Sequence, residues 1–135
     1  MEEHLLKVLY SIYVPPLGSI WAAHNGIWKN GFAANKSPEE HHPSVIGQIS
    51  NCKTSCKVIP GTTKRHTVGT CVFKTKINES RSESDATRFL IKLWMSYNIK
   101  DLNKLKRGWD GIDDFSQEQL TGLKLQIKHC LGKDV

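Results

Sequence analysis

The sequence predicts one mostly β domain of the α+β class, a small barrel with helices packed against it. Three observations lead there. Short β-branched segments punctuated by Gly, Pro and Asn recur through the middle of the chain, as in "SVIGQIS" and "SCKVIPG". A single strongly periodic helix closes the chain. Its apolar stripe needs a cover, and a sheet is the natural one. With 135 residues and 39% hydrophobic content, the chain is long enough for one core and short for two, so residues 1 to 135 are expected to form one domain.

Residues 2 to 13 place Leu5, Leu6, Leu9 and Ile12 on one helical stripe, which Pro15 and Pro16 end; residues 1 to 16 are expected to be a helical extension. "LGSIWAA" reads as a first strand, and "HNGIWKNGFAANKSPEEHH" as a long exposed loop rich in Gly, Asn, Pro and charge. "SVIGQIS" and "SCKVIPG" form two strands joined by a turn at "NCKT". "TVGTCVFKTKI" is a further strand, and "NESRSESDATR" a polar excursion. "RFLIKLWMSYNI" is expected to hold a strand through at least part of its length, because β-branched and aromatic residues dominate it. Leu102 and Leu105 suggest a helical turn closed by Gly108. In the last helix Ser116 and Gln119 make a capping box, Leu120, Leu123, Ile127 and Leu131 form the stripe, and Gly132 ends it.

Lys and Arg number 19 against 13 Asp and Glu, a net charge of +6. Such an excess favours encounter with polyanions and makes binding salt-sensitive. The stretch "KTSCKVIPGTTKRH" contains bases and no acid. The apolar N-terminal run is broken by Lys7 and Ser11 and follows two acids, which argues against a signal peptide and a membrane span and for a cytoplasmic protein. Cys52, Cys56, His66 and Cys71 invite a zinc reading, but Cys56 and Cys71 lead into β-favouring residues, so free thiols are expected and no metal or cofactor.

Two stretches carry chemistry. "HHPSVIGQIS" sets His41 and His42 directly ahead of a strand, and "CKVIPGTTKRH" ends another in Thr62, Thr63, Lys64, Arg65 and His66. If the strands are neighbours, these groups share one pocket. Cleavage of RNA through its own 2′-OH needs a base, a donor set for the charged phosphorane and an acid for the leaving 5′-oxygen. Histidine suits proton transfer near neutrality, so His42 or His41 is assigned that role, with His66 in reserve. Thr62 and Thr63 supply hydroxyl donors, and Lys64 and Arg65 hold phosphate. Trp28, beside Lys29 in the polar loop, is the tryptophan expected to touch RNA; Trp21 and Trp94 are expected in the core and Trp109 beside the last helix. Asp110, Asp113 and Asp114 are expected to be structural, ahead of the helix N-terminus.

The order "GSIWAA", long loop, "HPSVIGQIS", "CKVIPGTTK", polar excursion, "IKDLNKLK" and "DFSQEQLTGLKLQIKHCLG" resembles the MazF/PemK family of toxin endoribonucleases over residues 17 to 132. The resemblance implies an SH3-like β-barrel, a homodimer, metal-independent cleavage of single-stranded RNA, and neutralisation by a cognate antitoxin protein. It implies a catalytic Arg before the proline of one strand and a Thr two residues beyond the proline of the next. Thr62 matches the second position; the first is occupied by His42, a departure, since histidine carries charge only around and below neutrality. Two other functions suit the same fold. One is a toxin acting on a protein target such as gyrase, with the terminal helix carrying the activity. The other is a non-catalytic RNA-binding module.

Overall fold

The computed structural model describes residues 14–64, 71–80 and 86–135. The expected N-terminal helix, Arg65, His66 and parts of the expected strand 67–77 and polar excursion 78–88 lie outside them. Among the described residues, seven strands make one antiparallel sheet: β1 (Ile20–His24), β2 (His41–Ile49), β3 (Ser55–Thr62), β4 (Val72–Thr75), β5 (Thr87–Leu90), β6 (Met95–Asn98) and β7 (Lys106–Arg107). An α-helix, α1 (Gln117–Leu131), follows. The α+β class is as the sequence predicts. The strand order is β4-β5-β3-β2-β1-β7, with β6 also on β3. β4 and β7 end this path, so the sheet is open rather than the closed barrel expected from the sequence.

The centre of the sheet is β3, and its pairing changes along its length. Residues Ser55 to Val58 pair with β6 on one side, while Cys56 to Pro60 pair with β2 on the other. Gly61 and Thr62 pair with β5. β5 and β6 are thus two pieces of one interrupted strand, separated by a 3₁₀ turn at Ile91–Leu93. "RFLIKLWMSYNI" therefore supplies two strands, because its apolar residues serve both sides of that interruption.

Both sides of the sheet are covered. Alternation along β1, β2 and β3 sends Trp21, Ala23, Ile46, Cys56 and Val58 into one cluster with Ile27, Trp28, Leu102 and Leu105. It sends Ile20, Val45 and Ile59 into a second, closed by Phe89, Phe115, Leu123 and Ile127. Leu102 lies in a 3₁₀ helix, Ile99–Lys104, which makes good the expected helical turn. It ends before β7, and Gly108 lies beyond that strand.

α1 is built as its sequence indicates. The Ser116 hydroxyl accepts from Gln119 N at 3.1 Å, and Gln119 Oε1 accepts from Ser116 N at 2.9 Å. Gly132 ends it in the left-handed conformation at φ 68°. Leu123 and Ile127 are fully buried, while Leu125 on the far face is exposed. The helix comes close to β2 at a bulge between Ile46 and Gln48, where a side chain on Gly47 would meet Ile59 Cδ1 at 2.6 Å and Ile127 Cδ1 at 3.3 Å.

The "DGIDD" segment folds back on β1 and β7. Asp113 O accepts from Ile20 N at 2.8 Å, and the Asp114 carboxylate pairs with Arg107 at 2.7 Å. Arg107 in turn lies 5.1 Å over the Trp21 ring. Among the described residues, no helix is long and apolar enough to cross a membrane.

Candidate functional site at the fork of two strands

β2 and β3 pair as far as Ser44 and Pro60, then separate. The start of β2 stays with β1, where His41 and His42 lie opposite His24 and Ala23. The end of β3 goes over to β5. The two histidines therefore belong to the strand itself, three residues earlier than the sequence pattern suggests, because β1 supplies their pairing even though Pro43 cannot donate a backbone hydrogen bond.

A hollow of about 230 Å³ contacts both prongs of this fork. Lys36, His42, Thr62 and Lys64 line it together with Phe32 and Leu90. Two of the groups singled out from sequence, the imidazole beside Pro43 and the hydroxyl after Pro60, thus meet at one cavity. Their chain neighbours do not. His41 and Thr63 line a separate cleft of about 850 Å³, with Asn78, Lys106, Arg107 and Trp109. The single shared pocket expected from sequence is two cavities, because consecutive residues of a strand point to opposite faces.

His42 is held by its Nδ1, which lies 2.6 Å from Asn25 Oδ1. Asn25 is 5% exposed, and its Nδ2 donates to the Ser37 carbonyl at 2.9 Å. That bond turns the amide oxygen towards the imidazole. An amide oxygen only accepts, so in the neutral ring Nδ1 carries the proton and Nε2 keeps its lone pair. The Phe32 ring packs edge-on against His42 at 5.0 Å and against Trp28 at 5.4 Å.

Burial lowers the His42 pKa below its usual 6.5; Lys36 and Lys64 push the same way, and Glu40 opposes them. The ring is therefore largely neutral at pH 7, the form a general base requires. The same shift has a consequence for stability. The unfolded chain takes up this proton at a higher pH than the folded one, so His42 favours the fold fully above about pH 6.5 and less as pH falls through and below that value.

Replacing Asn25 by Asp sets a carboxylate against Nδ1. The His42 pKa is expected to rise by about one unit or more. An NMR titration of the imidazole nitrogens reads this directly, and an unmoved titration would mean that Asn25 does not govern the ring.

Thr62 is 6% exposed, and its Oγ1 accepts from Lys64 N at 3.3 Å. The hydroxyl thus makes a local turn bond while its proton remains free to donate. Thr63 and Lys64 are exposed. Trp28 is a correction: at 7% exposure, with its ring on Phe32, it has no face to offer a base and belongs to the core. The loop that holds it is not wholly exposed, since Asn25–Ile27 form a 3₁₀ turn whose Asn25 and Ile27 are buried. Lys29 is exposed and lies outside the residues lining either cavity. Trp21 is buried, and Trp94 and Trp109 pack partly exposed against the cluster under α1.

Sequence reasoning missed Asn25, Phe32 and Lys36. They come from a segment with no strand or helix periodicity, and nothing in its composition signals that it folds over the start of β2.

The cysteines lie apart from this site. Cys56 is buried, which pushes its thiol up to about 11. Cys52 is exposed in the β2–β3 turn, where hydrogen bonds from the Thr54 and Ser50 hydroxyls lower its thiol to about 7. Among the described residues, no group of three His, Cys, Asp or Glu could hold a metal ion. Iodoacetamide at pH 7 is expected to alkylate Cys52 first and Cys56 last, with Thr54→Val slowing the first reaction several-fold. Peptide mass mapping over time checks the order.

The sequence matches no protein-family model, and no curated protein is significantly similar to it.

Proposed function

We propose that this hollow is the active site of an endoribonuclease that cleaves single-stranded RNA through its own 2′-OH, acting as the toxin of a toxin–antitoxin pair. The observation that carries the proposal is that His42 and Thr62, from two strands that part after Pro60, line one cavity with Lys36 and Lys64. His42 Nε2 takes the 2′-OH proton. The Thr62 hydroxyl and the lysine ammoniums stabilise the charge that gathers on the phosphorane oxygens. An ammonium of the hollow, Lys36 or Lys64, protonates the departing 5′-oxygen. The products are a 2′,3′-cyclic phosphate and a 5′-hydroxyl end. His41 and Thr63, facing the other cleft, take no part in the proton transfers.

The toxin assignment, a cognate antitoxin and a homodimer follow from the resemblance to the MazF/PemK family and form part of the same proposal. The finer fold assignment belongs with it: an SH3-like sheet left open between β4 and β7. What supports it is the way β3 is shared among β2, β5 and β6, the device by which small barrels turn a corner.

The test is incubation of purified protein with end-labelled single-stranded RNA in excess EDTA, beside Thr62→Ala and His42→Ala. Cutting that is lost in the variants supports the proposal. Growth inhibition without cutting points to a protein target, and RNA binding without either points to a binding module.

A further inference from the structure

Arg88 lies on β5 opposite Thr62 on one side and Lys74 on the other. Directly opposed residues of antiparallel strands project from the same face with their Cβ atoms about 4.5–5.5 Å apart. The Arg88 side chain therefore leaves the sheet beside that of Thr62. Leu90, two residues on and so on the same face, lines the hollow. Thr87 and Phe89 point the other way, Phe89 into the cluster under α1 and Thr87 to the larger cleft.

Among the described residues, the Arg88 guanidinium nitrogen Nη1 is buried without a hydrogen-bond partner, and Arg88 stands beside the hollow rather than among its lining residues. A guanidinium is always charged and offers five N–H donors. Leaving one of them buried and unpaired is costly, more so for a charged group, and folded proteins rarely tolerate it without a use for the group. Among the described residues, the side chains lining the adjoining hollow include two lysines and a histidine and no carboxylate, a chemistry that suits an anion.

We infer that Arg88 completes a phosphate-binding subsite here, its orphaned N–H donating to a phosphate oxygen seated between Thr62 and the lysines. The inference rests on the hollow being the site proposed above, and it names the group that grips the ligand. The guanidinium fork holds two oxygens at once, whereas Lys36 and Lys64 act as point charges. Arg88 binds and positions the phosphate, and His42 moves the proton.

Thermal melts in inorganic phosphate, against chloride at equal ionic strength, test the inference on the intact chain, because a ligand that binds only the folded state raises the melting temperature. Phosphate is expected to raise the melting temperature of the wild type. Arg88→Gln should bind phosphate about tenfold more weakly or worse, and Arg88→Lys, which keeps the charge and loses the fork, should fall between. In chloride Arg88→Gln should melt no lower than wild type, since it removes an unpaired donor; a purely structural arginine would give a drop.

Equal phosphate responses in wild type and Arg88→Gln, or none in the wild type, overturn the inference. Should Arg88→Gln fail to fold, Arg88→Lys decides it: weakened binding supports the subsite and unchanged binding overturns it. RNA cutting is scored separately. A chain that cuts RNA without phosphate binding through Arg88 overturns this inference alone. One that binds phosphate through Arg88 and leaves RNA intact supports it and removes the nuclease reading.

Discussion

Replacing His42 with alanine is expected to slow single-turnover RNA cleavage in EDTA by about 10²–10⁴-fold, the usual worth of a positioned general base. The imidazole lines the hollow, its Nδ1 is occupied by Asn25, and its Nε2 is free to accept. The loss should appear in the chemical step, with RNA affinity little changed, because Thr62, Lys64 and Lys36 remain. His41→Ala is the informative control. His41 is one residue away but lines the opposite cleft, so its replacement should alter the rate only a few-fold. Equal losses in the two variants would mean that the strand's start matters and the facing imidazole does not. In the wild type, the acid limb of the rate profile should fall below pH 6.5, as the lowered His42 pKa requires. A rate independent of pH through that range would remove the histidine from the reaction.

Phe89→Ala is expected to destabilise the fold by about 3–5 kcal/mol, the range for truncating a buried aromatic core residue. Phe89 is fully buried and packs edge-on against Phe115 at 5.4 Å. It also sits opposite Gly61, where a Cβ would come within 2.9 Å of Phe89 Cε1 and 2.7 Å of Thr87 Cγ2. The phenyl ring thus fills the space where β3 changes partner, beneath the residue that carries the Thr62 hydroxyl. Against a total stability of roughly 5–15 kcal/mol, such a loss would leave much of the chain unfolded at physiological temperature. Denaturant titration followed by circular dichroism measures it. Leu125→Ala, on the exposed side of α1, should change stability by no more than about 0.5 kcal/mol. A loss below about 1 kcal/mol for Phe89→Ala would show that the corner is held by something else.

Local sequence determined a good part of this molecule. Ser116, Gln119 and Gly132 mark the ends of α1 because capping is a short-range matter of backbone groups finding partners. Leu123 and Ile127 declare its buried face because they recur at the helical period. The apolar runs of β2 and β3 declare themselves likewise, and the prolines at 43 and 60 flag the ends that carry the candidate site residues. What local pattern misjudged were the elements whose conformation is set by a distant partner. His41 and His42 look like loop residues and become strand because β1 pairs with them. "RFLIKLWMSYNI" holds strand through part of its length as expected, but in two pieces, because β3 bends past it. Trp28 looks like an exposed aromatic and is buried because the loop that carries it folds over the sheet.

The sequence by itself determined which residue types stand at the strand ends and that the two strands adjoin; only the tertiary structure decided which of them face each other. Alternation divides His41 from His42 and Thr62 from Thr63, and the face that each pair takes depends on register, which hydrogen bonds between distant segments set. Lys36 lines the small hollow, Asn25 of the same loop holds His42 there, and Arg88 stands opposite Thr62 from a distant strand. Their meeting has no periodicity for a sequence to display, because it is produced by the packing of the whole.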